Sequence, residues 1–210
     1  MKNRCVIVAG GDCDIKHLEC ISDSDYVIAA DRGLEYINIA NVTPQLVVGD
    51  FDSFSGQFSS DVEVIKLPTH KDDTDLLFAL RCGVEKCFDR FLILGGYGSR
   101  PDQNLAMLQS LKWVTENCRV KEIKAMCCGF EVYAVSKSSL ELEIDNNRYL
   151  SVFCIDSFAE GVSIEGAQYP LKNAILTSSF PIGVSNEGRG KITVSVKNGT
   201  LIVMVVDKNI

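Results

Sequence analysis

The hydrophobic positions of roughly the first 130 residues follow two periodicities in turn. Apolar runs, most of them nearly continuous, occur at residues 5–9, 26–30, 46–48, 62–67, 91–94 and 123–128. Such runs indicate strands that are buried on both faces, as in a parallel sheet. Between them, apolar residues spaced three and four apart, clearest at 76–84 and 105–114, predict helices that cover the sheet. The pattern therefore predicts an α/β N-terminal domain with a mostly parallel sheet flanked by helices.

After about residue 130 the pattern changes to an alternation of apolar and polar residues. Residues 139–144 alternate, 150–155 form a strand-like run, and Asn198-Gly199 within 192–203 predicts a two-stranded hairpin. No helical pattern of useful length occurs in this part of the sequence. We therefore expect a small all-β sandwich domain after the α/β domain, with residues 1–132 in the first and 133–210 in the second.

Composition narrows the classes of partner. The 210 residues carry 21 basic and 28 acidic side chains, a net charge of −7, which disfavours binding to nucleic acid or to an anionic membrane. No stretch approaches the roughly 20 apolar residues of a membrane helix, and the first apolar run is too short for a signal peptide. The nine cysteines contain no C-x-x-C pair, so we expect reduced thiols rather than a zinc site. Together these features predict a cytoplasmic protein.

Acidic residues and glycines follow five consecutive predicted strands. The segments are Gly10-Gly-Asp12, Asp31-Arg-Gly33, Gly49-Asp-Phe-Asp-Ser53, Lys71-Asp-Asp-Thr-Asp75 and Gly95-Gly-Tyr-Gly-Ser-Arg-Pro-Asp102. Because ligands of open α/β sheets bind beyond the carboxyl ends of the strands, we expect these carboxylates to border one crevice. Two like charges about 4 Å apart repel by roughly 4 kcal/mol at an effective dielectric constant of about 20. A bound Mg²⁺ would relieve that repulsion, and Asp50 with Asp52 offers it two carboxylates at one strand end.

The same crevice has the features of a phosphate site. Its glycines permit close backbone approach, while Lys71 and Arg100 supply positive charge, Arg100 in the planar form that binds phosphate with two parallel hydrogen bonds. The chain has no complete P-loop motif or dinucleotide-binding motif, and its two histidines provide no nucleophilic triad. The residues thus indicate magnesium-dependent phosphate chemistry at an unusual site.

Two further motifs lie in the second half of the chain, Gly166-Ala-Gln-Tyr-Pro-Leu-Lys172 and Gly183-Val-Ser-Asn-Glu187. Together with the motifs that begin at Gly49, Lys71 and Leu94, they resemble, in order and over nearly the whole chain, the thiamine pyrophosphokinase family. The resemblance implies a homodimer of chains that each have an α/β catalytic domain and a β-sandwich thiamine-binding domain. It also implies transfer of a pyrophosphoryl group from ATP to the hydroxyl of thiamine with Mg²⁺, giving thiamine diphosphate and AMP.

The resemblance also implies roles for individual residues. Magnesium and the triphosphate would be held by Asp31, Asp50, Asp52, Asp72, Thr74 and Asp75, with the charge of Lys71 beside them. Asp50, Asp52 and Asp75 are the candidates for the metal ligands and the catalytic carboxylate. The nucleotide would also contact Arg100, Asp102 and Gln103, and thiamine would contact Tyr169, Ser185, Asn186 and Glu187 in a pocket between subunits. The chain departs from the family in having Ser99, Gln103 and Met107 where glycine, histidine and asparagine are common. Glutamine can hydrogen-bond a ligand but cannot carry a proton, so an acid–base role at that position is in doubt.

The sequence leaves open which side chains contact thiamine and which carboxylate accepts its proton. Thiamine is a cation, so Glu187, Tyr169 and Trp113 are candidate partners, although the amphipathic pattern around Trp113 favours the helix core for that side chain. Any of Asp50, Asp52 and Asp75 could accept the proton of the thiamine hydroxyl.

Two other functions also fit the acidic motifs. A magnesium-dependent phosphohydrolase with Asp50 as nucleophile would release phosphate without an acceptor, and a non-catalytic nucleotide-binding or thiamine-binding module would form no product.

Overall fold

The computed structural model describes residues 4–50, 62–68 and 73–209, which form two compact units. The first unit consists of Met1–Ser110 and Cys118–Cys128, and the second of Leu111–Asn117 and Gly129–Ile210. The chain passes finally into the second unit between residues 128 and 129. The boundary between residues 132 and 133 that we infer from the sequence lies nearby and stays a prediction.

The first unit is an α/β structure, as the apolar runs predict. Its elements are β1 (Cys5–Val8), α1 (Ile15–Leu18), β2 (Tyr26–Ala30), α2 (Gly33–Ile39), β3 (Leu46–Gly49), β4 (Glu63–Lys66), α3 (Asp75–Glu85), β5 (Arg90–Leu94), α4 (Pro101–Asn117, whose last turns belong to the second unit) and β6 (Glu122–Cys127). The strands pair in parallel in the order β4-β3-β2-β1-β5-β6. Every residue of β1 and β3 is buried, which explains why these strands are apolar throughout.

The strand order reverses at β1. The chain builds β1 to β4 outward to one edge of the sheet and then returns to place β5 on the other side of β1. The loops that follow β1 and β5 therefore lie next to each other at the middle of the sheet. In doubly wound folds this switch point is where ligands bind.

The second unit is a β-sandwich. Its strands are β7 (Phe130–Ser136), β8 (Ser139–Ile144), β9 (Arg148–Cys154), β10 (Phe158–Ala167), β11 (Leu171–Thr177), β12 (Gly188–Ser195) and β13 (Thr200–Asp207). All pairs are antiparallel, in the orders β7-β13-β9 and β11-β10-β12-β8. Val135 and Val203 from the first set share one core with Val162 and Ile192 from the second, so the two sets pack face to face. The predicted fold class is confirmed.

The hairpin predicted at Asn198-Gly199 is wrong. The dipeptide does join β12 to β13, but β12 pairs with β8 and β10, whereas β13 pairs with β7 and β9. The turn instead attaches to β10, because the N–H of Asn198 donates to Glu160 O at 3.1 Å and the N–H of Glu160 donates to Asn198 O at 2.9 Å. Gly199 has a φ of 89°, so the dipeptide does mark a left-handed turn. The turn chemistry does not specify which strands pair.

No helix within the described ranges is long and apolar enough to cross a membrane.

All nine cysteines carry free thiols. Burial raises the pKa of the Cys13 thiol to about 11, with a smaller contribution from nearby Cys128. Burial also raises the pKa of the Cys5 thiol. Both thiols are therefore protonated and weakly nucleophilic at neutral pH.

Candidate active site

A cavity of about 540 Å³ opens at the switch point of the first unit. It is bordered by the loops after β1, β2 and β5 and by the N-terminal ends of α3 and α4. Side chains predicted to bind the nucleotide line it, namely Asp31, Thr74, Asp75, Arg100 and Gln103. Residues that the sequence places up to 72 positions apart, from Asp31 to Gln103, thus converge on one cavity.

Two glycine loops form one wall of the cavity, the first at residues 10–12 after β1 and the second at residues 95–98 after β5. The N–H of Gly11 donates to Gly95 O at 2.7 Å, and the N–H of Asp12 donates to Tyr97 O at 2.8 Å. A Cβ at Gly11 would lie 2.6 Å from Tyr97 O, so no side chain fits there. The sequence predicts that the glycines let the backbone approach a phosphate closely. At Gly11, the backbone instead lies close to the second glycine loop.

These loops are held by two side chains that are not among the predicted site residues. The Tyr36 hydroxyl, from α2, donates to Gly11 O at 2.8 Å. Asn104, in the first turns of α4, accepts from the N–H of Gly98 at 2.9 Å and donates to Gly98 O at 2.8 Å. An asparagine shortly after a glycine-rich loop is the signal that could have indicated the second contact, because its amide can both donate and accept. Tyr36 gives no such signal, since it resembles any half-buried residue of a short helix.

Asp31 has a left-handed backbone conformation and a carboxyl group with a raised pKa. Its backbone has a φ of 51°, and its N–H donates to Val48 O at 2.8 Å. The pKa of its carboxyl group is raised, first by burial and then by the negative charges of Asp75 and Asp50, against a lowering hydrogen bond from the backbone of Arg32. Asp31 therefore lies close enough to Asp75 and Asp50 for their negative charges to act on it.

The N-terminus of α3 directs backbone donors at the same cavity. Thr74 is the N-cap residue, and its hydroxyl oxygen accepts from the N–H of Leu77 at 3.2 Å. Asp75 is the first helical residue, and Asp73, which also lines the cavity, forms an ion pair with Arg81 at 2.6 Å. A helix N-terminus carries partial positive charge and unpaired N–H groups, which favour an anion in front of it. The threonine and acidic motif thus builds both the helix start and the cavity wall.

Arg100 and Asp102 form an exposed pair at the start of α4. The guanidinium Nη2 lies 2.5 Å from Asp102 Oδ2 and Nε lies 3.3 Å from Oδ1. The hydrogen bond from Arg100 lowers the pKa of the Asp102 carboxyl group. Arg100 and Gln103 line the cavity, and Asp102 orients Arg100. Met107, where the family commonly has asparagine, is buried against the same wall.

Part of the predicted site lies outside the described residues. Asp52, Lys71 and Asp72 belong to the ranges 51–61 and 69–72, so their roles stay predictions. Within residues 4–50, 62–68 and 73–209, no three His, Cys, Asp or Glu side chains are arranged as a metal-binding group. The predicted ligand set of Asp50, Asp52 and Asp75 includes one residue beyond those ranges.

The residues predicted to contact thiamine lie together in the second unit. Asn186 is buried, and its amide is engaged by neighbouring backbone: Nδ2 donates to Tyr169 O at 2.8 Å, and Oδ1 accepts from the N–H of Tyr169 at 3.0 Å and of Glu187 at 2.9 Å. Ser185 has a φ of 56°, and its N–H donates to Ser151 Oγ at 3.0 Å. Asn186 therefore shapes this segment rather than presenting a free amide.

Glu187 and Tyr169 have more accessible side chains. Glu187 borders a second, open cavity of about 370 Å³ together with Gln168 and Arg189. Lys208 forms an ion pair with Glu187 at 2.6 Å and lies 4.8 Å from the centre of the Tyr149 ring.

The prediction that Trp113 is a helix-core residue is wrong. Its side chain is 40 % exposed on α4, because Leu111 and Val114 occupy the buried face of this turn.

Family models and relatives agree with this division into two parts. The model for the thiamin pyrophosphokinase catalytic domain matches residues 17–122, and the model for the thiamin pyrophosphokinase vitamin B1 binding domain matches residues 137–201. The thiamine pyrophosphokinase of Bacillus subtilis is 31% identical over 209 residues, covering 94% of this chain and 96% of the relative.

Solved structures extend the comparison. A crystal structure of thiamine pyrophosphokinase from Bacillus subtilis superposes with a TM-score of 0.86 at 26% identity, covering 98% of this chain and 99% of the other. Thiamin pyrophosphokinase from Geobacillus thermodenitrificans gives 0.84 at 21% identity, covering 99% of both chains, and the yeast enzyme gives 0.71 at 16%, covering 98% and 86%. The last two matches, at lower identity, support the fold alone. With both domain models matched in order and a relative similar along almost its whole length, the chain belongs to the thiamine pyrophosphokinase family.

Proposed function

We propose that the cavity of the first unit binds ATP and that the enzyme transfers the pyrophosphoryl group of ATP to thiamine from there. The observation that carries this proposal is the meeting, at one cavity, of the Asp31 and Asp75 carboxylates with the charge of Arg100 and two helix N-termini. Carboxylates alone would repel a triphosphate. Together with a cation and with positive groups opposite them, they can hold both ends of a magnesium–nucleotide complex.

The acidic residues fit magnesium as the cation of this nucleotide complex. Mg²⁺ is bound through one or two carboxylates, with waters and substrate phosphate oxygens completing its shell. A cage of three protein ligands is therefore not required, and a bound cation would offset the repulsion that Asp75 and Asp50 exert on Asp31. We assign Asp50, Asp52 and Asp75 as the residues that would hold the ion. When bound, it would supply positive charge to the phosphate oxygens.

The chain's own residues position the reactants and neutralise charge. Arg100 offers a planar pair of donors to the phosphates, and the N-terminus of α3 faces the same space. In the reaction, the hydroxyl oxygen of thiamine bonds to the β-phosphorus while the bond from that phosphorus to the α,β-bridging oxygen breaks, and AMP leaves. The hydroxyl proton passes to a carboxylate, for which Asp50, Asp52 and Asp75 are the candidates. No covalent enzyme intermediate is needed.

We place thiamine against Tyr169, Ser185 and Glu187, with Asn186 holding the segment in shape. The carboxylate of Glu187 suits a cationic ligand, although Lys208 shares it in this structure. We also propose a homodimer with this pocket at the subunit interface. Its support in the structure is a set of exposed apolar side chains on the second unit, Ile175, Phe180, Ile182 and Val184.

We further propose that the enzyme works in the cytoplasm. Nine cysteines with free thiols suit a reducing compartment.

Product analysis tests the reaction. Purified chain incubated with ATP, Mg²⁺ and thiamine should form AMP and thiamine diphosphate in equal amounts, and omitting thiamine should abolish AMP formation. ADP as the product would indicate transfer of a single phosphoryl group. Phosphate released without thiamine would support the phosphohydrolase alternative, and binding of ATP with no product would support the non-catalytic module.

A further inference from the structure

Asn104 is bonded to the second glycine loop by both ends of its side-chain amide. Its Oδ1 accepts from the N–H of Gly98 at 2.9 Å, and its Nδ2 donates to Gly98 O at 2.8 Å. The backbone N–H of Asn104 in turn donates to Arg100 O at 3.1 Å, within the first turn of α4. One side chain on a regular helix therefore fixes both polar groups of a loop residue.

Gly98 is also fixed from its other side. A Cβ at Gly98 would lie 3.1 Å from the N–H nitrogen of Asp12 and 3.3 Å from Gly11 Cα, so the backbone there packs directly against the first glycine loop. Gly98 thus lies between α4 and that loop. Loss of the Asn104 contact would leave the second loop attached on one side only.

We propose that Asn104 is a positioning residue that holds the second glycine loop in the conformation that binds the nucleotide. The inference rests on the proposed binding of ATP in this cavity. Because both polar groups of the Asn104 amide are bonded to Gly98, the residue acts through the loop and through Arg100, which follows Gly98 by two positions. A loop that is ordered beforehand binds more tightly, since the ligand need not supply the free energy of ordering it.

Asn104→Asp is the sharpest substitution, because it keeps the shape and the acceptor for the N–H of Gly98 but replaces the donor with an oxygen that faces Gly98 O. At neutral pH we expect calorimetry to show magnesium–ATP binding weakened by about tenfold. The Michaelis constant should rise for ATP and stay unchanged for thiamine. On acidification the protonated carboxyl can donate to Gly98 O again, so the ratio of variant to wild-type affinity should recover. Asp12 and Arg100, the charged neighbours of the loop, are the same in both proteins, whereas the new carboxylate, which lines the cavity, also repels the triphosphate until it is protonated.

Gln109→Glu provides the matched control. Gln109 is exposed on the same helix and undergoes the same amide-to-carboxylate change, so its ATP affinity should equal that of the wild type. Asn104→Ala removes both hydrogen bonds without adding a charge, so it should also weaken magnesium–ATP binding if the loop contact, and not charge repulsion alone, is responsible. Thermal unfolding of each variant is recorded alongside binding.

The outcomes separate this inference from the proposed function. If the wild-type chain does not bind magnesium–ATP, both fail. If the wild type binds and the Asn104 variants bind equally well, while only their thermal stability falls, the contact is merely structural and the inference is overturned. Weaker ATP binding in the uncharged Asn104→Ala variant, together with weaker binding that recovers on acidification in Asn104→Asp and unchanged binding in Gln109→Glu, supports it.

Discussion

Asp31 combines two features that disfavour folding of the free protein. Its backbone is left-handed, with a φ of 51°, and the pKa of its carboxyl group is raised by burial and by the charges of Asp75 and Asp50. Strained backbone and carboxyl groups with shifted pKa values tend to occur at functional sites, where a bound ligand can offset their cost in stability. We therefore expect Asp31 to serve ligand binding at the expense of stability.

This view predicts a pH-dependent stability change in Asp31→Asn. Because the pKa is higher in the folded protein than in the unfolded chain, the contribution of Asp31 to stability is complete below about pH 4 and is lost as the pH rises through the raised pKa. Asparagine tolerates the left-handed backbone and cannot ionise. Thermal unfolding without ligands should show a more stable variant at neutral pH and no difference below about pH 4. A variant that is less stable at neutral pH would contradict the raised pKa.

Asp75 should matter for turnover more than for folding. Asp75→Asn keeps the volume and the N-terminal position on α3 but removes a charge from the proposed metal site. We expect the rate of AMP formation to fall by about a hundredfold or more, with little change in thermal stability. Asp23→Asn, at an exposed position of the first unit, is the control and should leave the rate unchanged. An active Asp75→Asn enzyme would remove this residue from the metal site.

At the scale of elements, the cavity depends on short loops that helices hold in place. The two glycine loops bond to each other, and α2 and α4 each contribute one side chain, Tyr36 and Asn104, to fix them. Helices are rigid supports for such loops, because their side chains are fixed relative to the sheet.

Removing the α2 contact should loosen the first loop. Tyr36→Phe deletes a single hydroxyl that donates to Gly11 O at 2.8 Å and keeps the ring. We expect a loss of about 1 kcal/mol in the free energy of unfolding. We also expect a severalfold rise in the Michaelis constant for ATP and no change for thiamine. Tyr97→Phe would not be a suitable control, because Tyr97 also lines the cavity. Tyr149→Phe in the second unit serves instead, and an equal effect of both variants on ATP would contradict the proposed role of Tyr36.

The sequence predicts the elements better than their partners. Buried strands such as β1 and β2 are evident from continuous apolar runs, and α3 and α4 from apolar residues spaced three and four apart, because these signals are local. The hairpin at Asn198-Gly199 failed because strand pairing is decided by the whole sandwich core. The contacts of Asn104 and Tyr36 were missed for the same reason, since each partner is known only after the loops are placed. The short helix α1 has only four residues, too few to show a periodicity.

At the scale of the whole molecule, the proposed chemistry is divided between two units. The cavity that we propose for the nucleotide lies within the first, and the residues that we assign to thiamine lie within the second. The two family models match these parts in the same order. A homodimer with the thiamine pocket at its interface would make activity depend on assembly.

Assembly can be tested through the exposed apolar set of the second unit. Phe180 is 67 % exposed, and a charge at this position should disfavour burial against a second copy. Analytical ultracentrifugation should show a dimeric wild type and a monomeric Phe180→Glu variant that binds ATP but makes no thiamine diphosphate. Ile39→Glu, at an exposed position in the first unit, should remain dimeric and active. A monomeric and active wild type would contradict the proposed interface.

The central claim is that carboxylates that follow separate strands hold a magnesium–triphosphate complex at the switch point. The most direct measurement is a crystal structure with Mg²⁺ and a non-hydrolysable ATP analogue. It should show oxygens of Asp50 or Asp75 at about 2.1 Å from the ion, as Mg²⁺ requires, and Arg100 on the phosphates. A triphosphate bound elsewhere, or a metal ion with no contact to these aspartates, would contradict the claim.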